Sequence, residues 1–494
     1  MVQPAAKTPL SANAFQPGAL PSNAVCRRAR QSRDPRFDGR FIVAVRTTGI
    51  YCRPICPARM PREDNVSYFV TAAAAQDAGY RPCRRCRPES ALSLPEWTMA
   101  SDTVMRGLRM IENGWLSVNN TAELAAALQV SERHLTRLFQ QELGTTPKSI
   151  ARWTRARLAK GLLASSSMNM ADVAFHAGYG SLSRFNQEIR DVFGQTPSML
   201  RKAKGKRLGE TVRLTLSIRG PYHFDWVFAY LHKRALAGLE EVIGEAGCWC
   251  FRRRFDDSEG QYHWVEVYQQ AQALQVVLPL TDVPLHSLLT RIRRVFDLQA
   301  DGETIHEFLC KDARLGEVVR AAPGLRVPGA WEGFETAVRA VLGQQVSVTR
   351  GTVLANKMVA SYGEGCFPSP EQLCDQQVGE LGMPGRRGQA IALLARQVRD
   401  GNLGFDDSSH FDQVQQQLQA IAGIGPWTAN YIRMRVLKDP DAFPDNDWVV
   451  LKVLQCTAAK ARAQANAWSP WRAYALMYLW YSSSLAVPPK ALEE

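Results

Sequence analysis

Residues 417–431 read Gln417-Leu-Gln-Ala-Ile-Ala-Gly423-Ile-Gly425-Pro426-Trp427-Thr428-Ala-Asn-Tyr431. Apolar residues at helical spacing run into Gly-Ile-Gly. Pro426 then opens a second helix at its first turn, where a missing N–H costs nothing. The glycines Gly423 and Gly425 let backbone amides approach an anion, and the new helix adds its positive end. A lone Gly-x-Gly says little. Here two helices flank it, and an acid-bearing segment follows: Asp439-Pro-Asp-Ala-Phe443-Pro444-Asp445-Asn446-Asp447-Trp448. The pattern predicts a helix-hairpin-helix unit that holds a nucleic-acid phosphate beside a carboxylate.

Upstream, Thr211-Val-Arg-Leu-Thr-Leu-Ser-Ile and His263-Trp-Val-Glu-Val-Tyr alternate like strands, and residues 226–239 between them have helical spacing. Helical periodicity dominates from Leu285 onward. Further quoted segments are Pro323-Gly-Leu-Arg-Val-Pro-Gly329, Val341-Leu-Gly-Gln-Gln-Val-Ser-Val348, Leu381-Gly-Met-Pro and Pro470-Trp-Arg-Ala-Tyr-Ala-Leu. Together these resemble the helix-hairpin-helix DNA glycosylases of the AlkA (3-methyladenine) type, over residues 211–487. The resemblance implies a TBP-like α+β domain ahead of a helical catalytic body. It assigns catalysis to Asp447, with Asp445 as runner-up in the same loop and helix capping as the alternative role of either. It lines a base pocket with Trp427, Tyr431, Trp471 and Tyr230. An aromatic cleft suits an electron-poor, extruded base. Trp471 and Tyr474 also show the i, i+3 spacing of a buried helix face. Relatives that cut the strand carry Lys in the hairpin where this chain has Trp427, so a monofunctional hydrolytic enzyme is expected. Cys456 is the one cysteine after residue 374, so no iron–sulfur cluster is expected. Gln345 stands at a wedge position where a familiar relative has Leu, which leaves the extent of DNA distortion open.

Residues 97–205 read as helices. Ala122-Glu-Leu-Ala-Ala-Ala-Leu128 is followed by a turn, with Ser131 as cap of a second helix that turns Leu135, Leu138, Phe139 and Leu143 inward. Ser131…Gly144-Thr-Thr-Pro147 recurs as Ser181…Gly194-Gln-Thr-Pro197, at an offset of 50. The second copy turns Phe185, Ile189, Val192 and Phe193 inward. Residues 147–163 form one helix connecting the copies. Paired helix-turn-helix units joined by a long helix resemble the AraC-type DNA-binding domain, over residues 100–202. Arg133, His134 and Arg137 in the first copy, with Arg184 and Asn186 in the second, are candidate DNA contacts. A solvated helix face is the alternative for each. The basic run Arg201-Lys-Ala-Lys-Gly-Lys-Arg207 reads as a phosphate-binding linker.

Cys52-Arg-Pro-Ile-Cys56 and Cys83-Arg-Arg-Cys86 are two knuckles with 26 residues between them. Two such pairs give a tetrahedral thiolate set, the geometry Zn²⁺ takes. The other seven cysteines show no such spacing and read as small buried hydrophobes. Arg46, Arg53, Arg59, Arg62, Arg81, Arg84, Arg85 and Arg87 crowd the knuckles. They offset the negative charge of a four-thiolate centre, or they bind phosphate; both remain open. Residues Phe41–Arg59, Asn65-Val-Ser and Tyr80-Arg-Pro-Cys83-Arg-Arg-Cys86 resemble the amino-terminal domain of the Ada alkylation-response regulators. That resemblance implies that Cys52 takes a methyl group irreversibly from a DNA methylphosphotriester, with Arg59, Arg81 and Arg85 toward DNA. An inert scaffold zinc is the alternative. No Pro-Cys-His-Arg occurs, so the second methyltransferase domain of those regulators is not expected.

The composition agrees with several folded domains. The 494 residues are 46% hydrophobic and 22% charged, with net charge +13. The charge is uneven. Residues 1–210 carry 31 Lys+Arg against 16 Asp+Glu, and residues 211–494 carry 29 against 31. An anion-binding front half follows, nucleic acid being the usual partner. No apolar run reaches the roughly 18 residues of a membrane span, and residues 1–25 lack a signal-peptide core, so a cytoplasmic protein with reduced thiols is expected. The expected fold is mostly α and multidomain: a disordered leader 1–25, a small α+β zinc domain 26–95, a double helix-turn-helix 96–205, a TBP-like domain 206–282 and a helix-hairpin-helix glycosylase body 283–494. The expected function joins a methylphosphotriester-sensing regulator to a 3-methyladenine glycosylase. Its rival is a transcription factor with a catalytically silent back half. Double-stranded DNA and RNA polymerase are the expected partners, Zn²⁺ the cofactor, and a monomer the expected state.

Overall fold

The computed structural model describes residues 20–34, 37–86, 88, 102–166, 168–201, 211–376, 381–405 and 411–485. Most of the predicted leader, Arg87 and the basic run after Arg201 lie outside these. The leader expected to residue 25 overlaps a helix, Asn23–Ser32, capped by Ser22. It forms because Cys26 and Ala29 pack under Phe41 and Val43.

The front sheet runs Val66–Phe69, Ile42–Val45, Ile50–Cys52, Arg81–Pro82. Its last pair is parallel, with Tyr51 opposite Pro82, and the Cys83 amide donates to the Tyr51 carbonyl at 2.9 Å. That register sets the first knuckle beside the second. The intervening chain supplies the edge strand and the helix Ala72–Asp77, whose four alanines are buried. Ala72, Ala73 and Tyr51 share one apolar cluster with Leu108, Leu124, Phe139 and Trp153. This cluster crosses the boundary expected at residue 95.

The repeat has a local chemical cause. Helices Glu132–Leu143 and Leu182–Phe193 start on Ser131 and Ser181 hydroxyls and end on Gly144 and Gly194, at φ 70° and 64°. Each left-handed glycine stops its helix. Thr146-Pro147 and Thr196-Pro197 then cap and open the next ones, Pro147–Ser165 and Pro197–Leu200. The preceding helices are Thr121–Ala127 and Met170–His176.

The back half opens with a five-stranded antiparallel sheet: Thr211–Ser217, Ala273–Pro279, Tyr262–Gln270, Cys248–Asp256, Glu240–Glu245. The helix expected over 226–239 is Phe224–His232 and ends earlier. The chain turns there so that Leu236 and Leu239 enter the core of the helical body and Glu240 can start the edge strand. Glu240 and Glu335 are held by Arg253 and Arg339 in a buried charge network that ties sheet to body. The body comprises Gly333–Leu342, Val348–Tyr362, Gly385–Arg399, Phe411–Ala420 and Pro426–Arg435 around one cluster, and Trp448–Leu454 with Arg472–Leu485 around another. A further cluster joins Leu162, Phe185 and Val192 of the helix-turn-helix half to Val212, Val276 and Leu288 of the back half. Polar contacts reinforce the junction: Arg109 donates to the Leu437 carbonyl at 3.0 Å and Arg40 to Thr304 at 2.6 Å. Among the described residues no helix is long and apolar enough to cross a membrane.

Candidate functional site

The four sulfurs of Cys52, Cys56, Cys83 and Cys86 all lie within 4.8 Å of one another. A tetrahedron with Zn–S of about 2.3 Å has S–S edges near roughly 3.8 Å, so the set fits Zn²⁺. No carboxylate or histidine joins it among the described residues. The thiols share protons: the hydrogen bond to Cys86, burial and the neighbouring thiols push Cys52 up, while the bond from Cys52 holds Cys86 down at about 6. The Arg53 amide donates to Cys86 Sγ at 3.4 Å, and its side chain pairs with Asp38. Arg53 is therefore committed to the scaffold. Arg59, Arg81, Arg84 and Arg85 are exposed, with no ion pair among the described residues. Of the remaining cysteines, Cys26 and Cys374 are buried as expected. Cys248 is exposed, because it opens a strand at a hairpin end opposite Glu245. The other four are half-buried.

On the helix Glu132–Leu143, Leu135, Phe139 and Leu143 are buried, Leu138 is half-buried, and Arg133 and Arg137 are exposed. His134 is half-buried, its Nδ1 at 3.0 Å from Arg137. On the helix Leu182–Phe193, Arg184 is exposed but donates to Glu188 at 2.9 Å, and Glu188 also receives buried Arg155 at 3.3 Å. Arg184 is thereby held in place by its own helix. Asn186 is half-buried.

In the back half, Gly423 has φ 94°, and a Cβ there would stand 2.8 Å from Ala390 Cβ. Gly425 caps the next helix, and the space a Cβ would take is open. Gln344 donates to the Gly423 carbonyl and to Thr428, both at 2.9 Å, stitching this hairpin to the loop that carries Gln345. Gln345 is exposed at φ 53°, at a loop tip.

Asp447 is 6% exposed and begins the helix Trp448–Leu454. Its Oδ1 accepts from the Val449 and Val450 amides at 3.0 and 3.1 Å and from Trp480 Nε1 at 3.2 Å. Its Oδ2 accepts from Trp427 Nε1 at 2.8 Å. Helix cap and indole-bonded carboxylate are thus one side chain. Asp445 is paired with Arg462 instead. Trp427 stacks on Tyr431 at 5.2 Å and 18°, and the Tyr431 hydroxyl lies 3.0 Å from that of Tyr230. Trp471 is buried and packs edge-on against Tyr474, 6.0 Å between centroids. Trp480 is the second indole at Asp447. Trp480 and Gln344 were missed by the sequence reading. A heptad-by-heptad assignment of the last helix was the signal that could have found Trp480.

Three family descriptions match the chain: the metal binding domain of Ada over residues 25–89, a helix-turn-helix domain over 124–203 and the AlkA N-terminal domain over 213–332. A Mycobacterium tuberculosis protein named "Probable bifunctional transcriptional activator/DNA repair enzyme AlkA" is 39% identical over 478 residues, covering 92% of this chain and 95% of that one. The DNA-3-methyladenine glycosylase 2 of Escherichia coli is 31% identical over 295 residues, 54% of this chain and 96% of its own length. The bifunctional transcriptional activator/DNA repair enzyme Ada of Escherichia coli is 36% identical over 171 residues, 34% of this chain and 46% of its own. An Ada-type zinc site, a helix-turn-helix pair and an AlkA-type glycosylase half, in that order in one chain, place it in the family of the bifunctional transcriptional activator/DNA repair enzymes AlkA.

Proposed function

We propose that the chain senses methylphosphotriesters through Cys52, activates transcription through its helix-turn-helix pair, and removes alkylated bases with Asp447. Zinc, when bound, keeps the four sulfurs as thiolates. Cys52 Sγ forms a bond to the methyl carbon as the methyl–oxygen bond breaks, and the phosphodiester leaves as an anion. The cysteine centre loses one unit of negative charge, so its repulsion from DNA phosphate falls. The exposed Arg59, Arg81, Arg84 and Arg85 support this reading of the zinc knuckles as a DNA-facing surface.

In the back half the hairpin amides and the start of the helix Pro426–Arg435 hold a phosphate. Trp427, Tyr431 and Trp480 flank the extruded base. As the C1′–N bond breaks, the base leaves with the electron pair and positive charge grows on the sugar. Asp447 opposes that charge and takes the proton of the incoming water. The observation that carries this is Asp447 itself, a buried carboxylate fixed by two indoles and two amides. The same capping bonds favour the rival reading, a regulator whose back half only binds DNA. Activation implies RNA polymerase as partner, and two helix-turn-helix units let a monomer read two groove segments.

Exposure of the zinc-loaded full chain to a duplex bearing a methylphosphotriester tests the sensor. Peptide mass spectrometry is expected to find one added methyl on Cys52, with tighter promoter binding afterwards. A methyl on another cysteine, or unchanged affinity, sinks it.

A further inference from the structure

Arg435 is 9% exposed and has no carboxylate partner among the described residues. Its Nε donates to the Pro328 carbonyl at 2.6 Å, one Nη to Gly329 at 3.1 Å, and the other to the Tyr431 hydroxyl at 2.8 Å. A second guanidinium, Arg234, lies 3.7 Å from the Tyr230 ring centre and donates to the Tyr230 carbonyl. It too has no carboxylate partner among the described residues. Arg435 sits 5.0 and 5.6 Å from the Tyr230 and Tyr431 ring centres. Glu240 and Glu335, the acids that reach this corner through Arg339, are already held by Arg253 and Arg339. Two cations, buried Arg435 and half-buried Arg234, therefore face two touching phenols, and a buried cation demands counter-charge.

We propose that Tyr431 is held as a phenolate by Arg435 and by the Tyr230 hydroxyl, and that this half-buried anion selects positively charged alkylated bases for the pocket. The Tyr431 proton leaves to solvent; Tyr230 keeps its own and donates it to Tyr431 Oη. Burial opposes ionisation of Tyr431, but Arg435, Arg234 and the hydrogen bonds from Tyr230 and Arg435 outweigh it and bring it down to about 7. Tyr230 is pushed up to about 12, by burial first and by the Tyr431 charge, against the pull of Arg234 and Arg435. The charged and titratable groups facing Tyr431 are Tyr230, Arg234 and Arg435, with Arg339 behind Arg435. Trp427 and Trp480 are uncharged, and Asp447 bonds to those indoles rather than to Tyr431. The phenolate is populated above about pH 7 and lost below it.

The role is in capture. An N-alkylated purine is cationic before cleavage and neutral after it. Attraction to Tyr431 stabilises the bound cation and the transition state about equally, because the unit positive charge stays within the base–sugar pair as the bond breaks; it therefore lowers KM with kcat preserved, and it vanishes when the neutral base must leave. This deepens the glycosylase reading and rests on it. A tyrosinate absorbance titration of the full chain is expected to show a one-tyrosine step near pH 7, absent in Y431F and moved upward in Y230F. Excision from duplexes carrying 7-methylguanine (cationic) or hypoxanthine (neutral) gives the second readout. Lowering the pH through the step is expected to raise KM for 7-methylguanine about tenfold relative to hypoxanthine, with the kcat ratio unchanged. The absence of a tyrosine step below pH 9 overturns the phenolate, whatever the excision result. A step accompanied by identical pH profiles for the two lesions overturns the selection. A step with no excision of either lesion leaves the phenolate standing and removes the glycosylase reading beneath the selection.

Discussion

Asp447→Asn separates the two duties of that side chain. Asn caps helices as well as Asp does, so the bonds from Val449 and Val450 to Oδ1 survive if the amide oxygen takes that place. The amide nitrogen then meets Trp427 Nε1, which now donates at 2.8 Å. One hydrogen bond is lost and donor faces donor, costing about 1–3 kcal/mol, or about 2–4 °C of melting temperature per kcal/mol in a body of this size. Chemistry suffers more, because the negative charge opposite the developing sugar cation is gone. Loss of one preorganised electrostatic partner costs about 10²–10³ in rate, near 3–4 kcal/mol. Asp447→Ala keeps neither duty and loses about 1 kcal/mol further through the cap. Single-turnover release of 3-methyladenine, run beside thermal melts, reads both quantities. An Asn variant that melts slightly lower but excises within about threefold of wild type refutes the catalytic assignment and favours the silent-half reading.

Trp480→Phe removes an Asp447 donor and is expected to slow excision about tenfold, while Trp471→Phe loosens the core and lowers the melting temperature with kcat preserved; the reverse pattern contradicts the placement. Buried His176 and half-buried His286, at the junction of the halves, are both pulled down by desolvation and stay neutral in the folded chain. Unfolding lets them take protons below about pH 6.5, so stability is full above that value and falls as pH drops through it. Melts across this range, repeated on His286→Gln, are expected to show a shallower acid slope in the variant; equal slopes exclude the junction histidines as the source.

Much of this molecule is legible because its signals are local. Ser131 and Ser181, Gly144 and Gly194, and the two Thr-Pro steps reveal the repeat, since caps act within a turn of their own residue. Cys52 with Cys56, and Cys83 with Cys86, declare their shared site through spacing. Gly423 declares its hairpin because its φ and the nearness of Ala390 both require glycine. The misses are long-range. A strand beginning Glu240-Glu241 looks like a polar turn until Arg253 and Arg339 arrive from elsewhere in the chain. Trp471 precedes the final helix and Trp480 lies on it, and the meeting of Trp480 with Asp447 depends on how that helix packs, which its neighbours decide. The Tyr230–Tyr431 contact spans 201 residues, and no short window contains it.

The cluster shared by Leu162, Phe185, Val212 and Val276 has a consequence for inheritance. A cut between the halves would open an apolar face on each fragment of this chain. A gene duplication copies sensor and repair body together, and deletion of one weakens the other. Every copy loaded on a promoter brings one excision body with it, at a ratio that expression control cannot alter.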